Sequence, residues 1–284
     1  MQQKEKMDNS LKTLLSKHGT NLKKAYGQNF LTDQNLLLEI VEKSGVEEHS
    51  NVLEIGCGAG ALTRHLAMHA KKVVGYEIDK TLKPVLNETV GEYSNVNIVF
   101  NDILKEDILS VEKQLGGEYL MVANLPYYIT TPIIMKFLEN AKNLKSMSIM
   151  VQKEVAERLC AKEGTADYGA ITVGINLRGS AKIILEVPRE KFTPIPNVDS
   201  AVVRIDLEQN KFENVDYEKV RNVVRAGFSS RRKMLINNLM NSYKLKRDKA
   251  ESILEKAQIP LTARGETLSA EQYVNLANVL YGEI

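Results

Sequence analysis

Residues 124–127, with the sequence NLPY, combine side chains suited to recognising an adenine turned out of a nucleic-acid strand. The side-chain carbonyl of Asn124 can accept a hydrogen bond from the exocyclic amino group of the base, and the ring of Tyr127 can stack on its face. The apolar run at residues 119–123 predicts a buried strand, so the motif would follow a strand's carboxyl end, where open α/β sheets bind ligands. A proline-containing turn whose Asn bonds only to nearby backbone groups explains the same residues.

A glycine-rich turn at residues 56–60, GCGAG, follows a predicted strand at residues 51–55 and precedes a predicted helix at residues 61–70. Glycines at such a junction let a ligand approach the backbone and meet the free N–H groups of the helix. The turn also fits the dinucleotide-binding pattern G-x-G-x-x-G/A. It therefore predicts a nucleotide site without deciding which nucleotide binds.

Polar residues also end the next two predicted strands. Glu77 follows the strand at residues 72–76, about 20 residues after the glycine turn, where an acid suits the two hydroxyls of a ribose. Asn101 and Asp102 close the strand at residues 96–100, where an acceptor can reach an adenine amino group. An Asn-Asp pair is also an ordinary turn, so this position has two interpretations.

The alternation of strands and helices over residues 51–151 predicts a parallel, doubly wound α/β sheet. Two more predicted strands, residues 181–187 and 201–207, would close it as an antiparallel pair. A proline-stiffened loop, FTPIP at residues 192–196, lies between them. Phe192 at the mouth of this loop would either stack on a ligand or pin the loop to the core.

From residue 210 the apolar spacing becomes helical, which predicts a small helical domain. Residues 221–250 carry nine Lys or Arg against one acid, and residues 1–24 carry six Lys against two acids. Such clusters favour a polyanion partner, although a solvated protein face has the same composition. Cations suited to phosphate contacts lie in the turn between the first two helices of this domain: Arg231, Arg232 and Lys233.

The composition argues against several classes of protein. The chain has 284 residues, 43% of them hydrophobic and 26% charged, with two cysteines, Cys57 and Cys160. Two cysteines form neither a disulfide framework nor a metal-ligand pattern, and neither a signal peptide nor an 18-residue apolar span occurs. We therefore expect a soluble cytoplasmic protein that needs no metal and no membrane.

The chain resembles the ribosomal RNA adenine dimethyltransferases from about residue 24 to residue 281. Each motif alone is weak, but the ordered set is specific: QNFL at 28–31, EIGCGAG at 54–60, Glu77, ND at 101–102, NLPY at 124–127 and FTPIP at 192–196. In the helical part the resemblance rests on FSSRRKML at 228–235 and RGETLS at 264–269. Ser230 stands where we expect Gln in relatives, and it is the one departure from the pattern.

The resemblance implies a Rossmann-like class I methyltransferase fold with a seven-stranded, mostly parallel sheet at residues 25–209. A basic arm at residues 1–24 would precede it, and a helical RNA-binding domain at residues 210–284 would follow. The implied activity is S-adenosylmethionine-dependent dimethylation of two adjacent adenosines near the 3′ end of small-subunit ribosomal RNA. The protein would act in ribosome biogenesis, as a monomer, on a pre-ribosomal small subunit.

The resemblance also implies a role for individual residues. The methyl donor would be bound by Asn29, Leu31, Gly56, Glu77, Asp102 and Asn124. The target amino group would donate to Asn124 and to the carbonyl of Leu125, with the base held between the rings of Tyr127 and Phe192. RNA phosphates would meet Arg225, Arg231, Arg232 and Lys233. Two in-plane acceptors and close positioning would suffice without a general base, because the proton can leave to water.

Three other functions fit parts of the sequence. A sister family that methylates a large-subunit ribosomal RNA adenosine shares the catalytic half, and the helical domain places it second. An NAD-dependent dehydrogenase fits the glycine turn but leaves residues 124–127 unexplained. A non-enzymatic ribosome-assembly factor is a separate class, and such a role can coexist with catalysis.

Overall fold

The computed structural model of the chain describes residues 13–19, 30–208, 211–212 and 215–284, with every side chain among them except that of Tyr127. Asn29 and most of the predicted arm at residues 1–24 therefore lie outside the described residues. The described chain forms two compact units. The first extends up to Ala156 and includes Lys182–Leu207, and the second consists of Glu157–Ala181 and Glu208–Ile284.

Nine strands are described, and seven of them form one sheet. In chain order they are β1 Phe30–Leu31, β2 Asn51–Ile55, β3 Lys72–Tyr76, β4 Val96–Val99, β5 Tyr119–Asn124, β6 Leu144–Gln152, β7 Gly179–Val187, β8 Phe192–Thr193 and β9 Ser200–Leu207. The order across the large sheet is β4-β3-β2-β5-β6-β9-β7. Strands β2 to β6 pair in parallel, and β9 is antiparallel to β6. The seven-stranded, mostly parallel sheet confirms the predicted fold class.

The central strands are apolar on both faces, as parallel strands covered by helices must be. In β2, Val52 and Leu53 have no exposed surface, and in β3 the same is true of Val73 and Val74. The carboxyl ends of parallel strands lie at the same edge of the sheet, and polar motif residues occur at or just after these ends. This is why the sequence motifs meet at one edge of the sheet.

Twelve helices are described. They are α1 at residues 13–17, α2 Gln34–Lys43, α3 Ala61–His69, α4 Lys83–Val90, α5 Ile108–Leu115, α6 Thr130–Asn140, α7 Lys153–Leu159, α8 Ala170–Asn176, α9 Tyr217–Gly227, α10 Leu235–Tyr243, α11 Arg247–Lys256 and α12 Ala270–Glu283. Asp33 caps α2, because its carboxylate accepts a hydrogen bond from the Leu36 amide at 3.2 Å. Helix α6 begins at Thr130, two residues before Pro132. Pro132 still lies in the first turn, where its missing N–H has no intrahelical partner to lose.

A two-stranded ribbon joins segments that are distant in the sequence. Strand β1 pairs antiparallel with β8, with Phe30 opposite Thr193 and Leu31 opposite Phe192. The ammonium group of Lys191, just before β8, forms an ion pair with Asp33, just after β1. That ion pair is the main reason why the pKa of the Asp33 carboxyl is lowered.

The second unit is helical and has its own core. Its buried residues include Val223, Leu235, Ile253 and Tyr273 from α9 to α12. Tyr168, Val173 and Leu177 pack into the same core, which accounts for residues 157–181 belonging to this unit, whereas the sequence placed them in the domain of residues 25–209. Helix α12 begins with a capping box formed by Ser269 and Gln272.

Candidate active site

A cavity of about 330 Å³ opens where β2, β3 and β5 end. The predicted site residues that line it are Leu31, Gly56, Glu77, Asp102, Asn124 and Leu125. Its wall also contains Phe30, Glu54, Cys57, Ile78 and Tyr128. Asn29 lies outside the described residues, and nothing is described of the Tyr127 side chain. Five members of the ordered set of sequence motifs thus contribute to one cavity.

The glycine turn forms the floor of this cavity and requires glycine for steric reasons. Gly56, Gly58 and Gly60 all have positive φ angles, of 82°, 56° and 85°. A Cβ atom on Gly56 would lie 3.2 Å from the backbone oxygen of Asn124, and one on Gly58 would lie 3.2 Å from the Phe30 ring. The backbone of the turn therefore faces the cavity without side chains in the way.

Glu77 is held against this turn. The Glu77 carboxylate is 5% exposed and accepts hydrogen bonds from the amides of Gly58 and Asp79, both at 2.8 Å. Burial raises the pKa of Glu77, and the two amide hydrogen bonds oppose that rise. The arrangement fixes an acceptor at the end of β3, next to the glycine turn.

Glu54 is a cavity residue that the sequence analysis quoted within a motif but gave no role. It is 1% exposed, and among the described residues neither carboxylate oxygen has a hydrogen bond of acceptable geometry. Burial raises the pKa of Glu54 to about 7, although the nearby Thr63 hydroxyl and Cys57 thiol act to lower it. The signal in the sequence was an acid inside an otherwise apolar strand, immediately before a glycine turn. Such a group suits a ligand that carries positive charge or donates hydrogen bonds.

Asp102 and Asn101 line the cavity just after the end of β4, the strand next to β3. The Asp102 carboxylate accepts a hydrogen bond from the Leu104 amide at 3.0 Å and lies 3.8 Å from the ammonium group of Lys105. Asp102 begins a 3-10 turn, Ile103–Lys105, as an ordinary capping residue would. Its carboxylate nevertheless remains partly exposed and lines the cavity.

Asn124 and Leu125 stand at the end of β5. Asn124 is the last residue of that strand, pairs with Met150 of β6 and is half-buried. Leu125 is 2% exposed, so its side chain anchors the turn that follows. Both residues line the cavity on the side opposite to Glu77 along the strand order β3-β2-β5.

Phe192 lies in the core. It is 1% exposed, packs in a cluster with Leu31, Leu37 and Val187, and does not line the cavity. In this conformation its ring has no face free for a base. The packing alternative from the sequence analysis accounts for this position, and the stacking role stays a prediction.

The turn that contains Arg231, Arg232 and Lys233, here called the basic turn, is held by hydrogen bonds from two side chains, those of Arg231 and Asn238. The Arg231 guanidinium donates hydrogen bonds to the backbone carbonyls of Ala166 and Tyr168, the latter at 2.9 Å. The buried side-chain amide of Asn238 donates hydrogen bonds to the backbone carbonyls of Gly227, at 2.8 Å, and Ser230, at 3.1 Å. Arg231 therefore braces the turn.

The other predicted RNA-binding cations differ from Arg231. Arg225, Arg232 and Lys233 are exposed, and the described part of the chain gives none of them an ion pair. Each can meet an external anion, whereas one nitrogen of the Arg231 guanidinium, Nη2, already donates to two backbone carbonyls. The RNA contact of Arg231 stays a prediction. The sequence spacing alone did not distinguish these two kinds of cation.

The described residues contain no group of three side chains arranged to hold a metal ion. None of the described helices has the length and apolar character needed to cross a bilayer.

The sheet order and the cavity at its carboxyl edge define a Rossmann-like class I methyltransferase. The chain belongs to the ribosomal RNA adenine dimethylase family, whose model matches residues 19–281. This membership confirms the family resemblance inferred from the motifs, and it makes the protein an enzyme of that family.

Relatives cover nearly the whole chain. A Geobacillus thermodenitrificans protein named ribosomal RNA small subunit methyltransferase A is 45% identical over 276 residues, which is 95% of this chain and 94% of the relative. The crystal structure of a Plasmodium falciparum dimethyladenosine transferase is 25% identical, with a TM-score of 0.76, covering 89% of this chain and 98% of that one. The crystal structure of the 23S rRNA methyltransferase ErmE is 28% identical, with a TM-score of 0.67, covering 89% of this chain and all of that one.

Proposed function

We propose that the protein uses S-adenosylmethionine to dimethylate the exocyclic amino groups of two adjacent adenosines near the 3′ end of small-subunit ribosomal RNA. It would act as a monomer, in the cytoplasm, on a small subunit that is still being assembled. The observation that carries the proposal is that Asn124 and Leu125 line the same cavity as the glycine turn, Glu77 and Asp102. The residues proposed to bind the methyl donor and those proposed to bind the target adenine thus line one cavity.

The residues of the cavity fit this donor. The donor supplies an electrophilic methyl group on a positively charged sulfur. Glu54 offers two buried carboxylate oxygens that lack hydrogen bonds among the described residues, so a cationic ligand would offset their burial. Glu77 would accept from the ribose hydroxyls, Asp102 from the adenine amino group, and the Gly56 backbone would lie against the amino-acid part. Leu31 would cover the donor from the β1 side, together with Asn29.

The target amino group would be held by two acceptors at the end of β5. An adenine amino nitrogen is a poor nucleophile because its lone pair is delocalised into the ring. Acceptors at the Asn124 side chain and the Leu125 carbonyl would pull the amino group toward tetrahedral geometry and offset the positive charge that develops on methyl transfer. Fixed distance between the two substrates would supply much of the remaining rate. The released proton would pass to water.

The small-subunit substrate is favoured by the curated relatives, which cover nearly all of the chain. The likeness to a 23S rRNA methyltransferase makes a large-subunit substrate the second candidate. In the helical unit, Arg225, Arg232 and Lys233 would contact RNA phosphates, which carry no base identity. The choice of RNA therefore has to be tested directly.

The test is to incubate the purified protein with radiolabelled donor and with small or large subunits that lack the methyl groups, and then to map the label. Transfer to two neighbouring adenosines of the small-subunit RNA is expected. Transfer only to large-subunit RNA would establish the second candidate. Binding to small subunits without transfer, in both the parent and Asn124→Ala, would indicate an assembly factor.

A further inference from the structure

Tyr128 is an aromatic side chain at the cavity for which the proposed reaction has not yet supplied a role. It is 65% exposed, more than any other large hydrophobic side chain in the described ranges, and it is the only aromatic ring among the exposed ones. It nevertheless belongs to the wall of the cavity. A tyrosine whose ring is mostly in water contributes little to the core, so packing does not explain its position.

The backbone beneath the ring is firmly supported. Tyr128 is the middle residue of the 3-10 turn Tyr127–Ile129, which the Ile129 amide closes by donating to the Pro126 carbonyl at 3.1 Å. Helix α6 follows at once, and its residues Ile133 and Ile134 have no exposed surface. A tyrosine ring has only two side-chain torsions to fix, so on such a backbone it loses little conformational entropy when a flat partner stacks on it.

The chemistry of the reaction supplies such a partner. When an adenosine is turned out of a strand, its neighbour loses a stacking partner on that side. An aromatic ring at the mouth of the cavity can take that place, and it does so for any base because every base has a π-face. Because Tyr128 lines the cavity and is 65% exposed, part of its ring surface is open to the nucleotide that remains outside.

We propose that Tyr128 is a positioning residue that stacks on the base next to the target adenosine and holds the strand while that adenosine occupies the cavity. This proposal rests on the proposed function, since it assumes an RNA substrate. It also explains why a pair of adjacent adenosines suits this enzyme. While one adenosine is in the cavity, the other is the neighbouring base.

The first experiment is a double-mutant cycle that combines substitution of Tyr128 with removal of the base next to the target adenosine. Initial rates of methyl transfer are measured for the parent, Tyr128→Phe and Tyr128→Leu on small subunits rebuilt with RNA in which one adenosine of the pair is intact. The neighbouring position carries either a base or an abasic sugar, on the 5′ side in one set of particles and on the 3′ side in another. Leu109→Ala, a change at an exposed apolar residue of α5 that does not line the cavity, is the matched control.

With the base present, Tyr128→Leu should lower kcat/KM about ten- to a hundredfold, and Tyr128→Phe should restore most of the loss because it keeps the ring. With the abasic neighbour on one of the two sides, the difference between the parent and Tyr128→Leu should shrink to less than about threefold. A loss that persists in full on both abasic particles would overturn the proposal, since the ring would then serve the target base or the fold. Parental kcat/KM in Tyr128→Leu would overturn it as well.

A second readout does not depend on transfer. The fluorescent base 2-aminopurine, placed at the neighbouring position, is quenched when it stacks. It should be quenched more by the parent and by Tyr128→Phe than by Tyr128→Leu at saturating protein, and equal quenching by all three would count against stacking. Failure of the parent to label small-subunit RNA would instead contradict the proposed function. The two failures are therefore distinguishable.

Discussion

The carboxylate of Glu77 accepts a hydrogen bond from the backbone amide of Gly58 at 2.8 Å. This contact connects the end of β3 to the glycine turn after β2, and it sets both against the same cavity. Each group is suited to a different part of a nucleoside-containing ligand. Their direct contact means that one substitution at Glu77 tests the donor site as a whole.

Replacing Glu77 with Ala should weaken S-adenosylmethionine binding by about 1–3 kcal/mol, because a charged hydrogen-bond partner is lost. Calorimetric titration of the parent and the variant measures this difference. Glu47→Ala, a change at an exposed acid that does not line the cavity, serves as the control and should bind the donor like the parent. A parent protein that bound NADH and not the sulfonium donor would falsify the methyltransferase assignment of the cavity.

Glu54 makes stability depend on pH. Burial raises its pKa in the folded protein to about 7, from about 4.5 for an exposed glutamate. Between these two values the unfolded chain releases the proton and the folded protein keeps it, so the free energy of unfolding falls as pH rises. The loss should reach about 3 kcal/mol above pH 7 and be absent below pH 4.5.

Comparison with Glu54→Gln isolates this effect, because all other titrating groups are shared. Urea unfolding of the two proteins at pH 5 and pH 8 gives the four free energies. Relative to the parent, the variant should gain about 2–3 kcal/mol between pH 5 and pH 8. A difference that does not change with pH would show that Glu54 titrates normally.

The basic turn contains two kinds of cation, which separate substitutions should distinguish. Replacing Arg232 and Lys233 with Ala should weaken RNA binding and reduce the log–log salt slope by roughly 0.7 to 0.9 for each lost phosphate contact. Arg231→Ala should chiefly lower the free energy of unfolding, by about 1 kcal/mol, because its hydrogen bonds to the Ala166 and Tyr168 carbonyls are lost. Fluorescence anisotropy over a potassium chloride series measures the slopes.

Donor affinity should stay at the parental value in all of these variants, since the cavity belongs to the first unit. If the salt slope of RNA binding were unchanged after loss of Arg232 and Lys233, the basic turn would be a solvated surface that does not contact RNA. If Arg231→Ala had parental stability and changed the salt slope as much per residue as the loss of Arg232 and Lys233, Arg231 would be an RNA contact.

Phe192 and Tyr127 should respond differently to substitution by Leu. Because Phe192 is 1% exposed, Phe192→Leu should lower the free energy of unfolding by about 1 kcal/mol and leave transfer per folded molecule nearly unchanged. Tyr127→Leu should lower transfer by about one to two powers of ten at unchanged stability, if its ring stacks on the target base. Thermal unfolding and transfer rates on both variants measure the two quantities. A tenfold loss of transfer in a stable Phe192→Leu protein would support the stacking role.

Much of the first unit was predictable, because its signals are local in the sequence. Apolar runs such as residues 119–123 predicted β5, and the glycine turn and Glu77 follow from residues adjacent to their strands. The ribbon of β1 and β8 was not predictable in this way. A two-residue strand has no periodicity, and its partner lies far along the chain. Phe192 lies in that ribbon, so the sequence alone left packing and stacking open as alternatives for its ring.

The role of side chains at the surface also depended on distant partners. Arg231, Arg232 and Lys233 are consecutive and look alike in the sequence, yet only Arg231 is placed to reach the carbonyls of Ala166 and Tyr168. Segment Glu157–Ala181 joins the helical unit because Tyr168 and Val173 reach its core. Tertiary contacts of this kind leave no local pattern.

In the proposed reaction, Asn124 accepts a hydrogen bond from the target amino group in the same cavity that binds the donor. The most direct measurement is single-turnover methyl transfer to unmodified small subunits by the parent and by Asn124→Ala, with donor affinity and particle binding measured on the same samples. With the parent we expect label on two adjacent adenosines. With Asn124→Ala we expect transfer to fall by at least about a hundredfold while particle binding stays near the parental value. Transfer at the parental rate by a folded, particle-bound Asn124→Ala protein would contradict it.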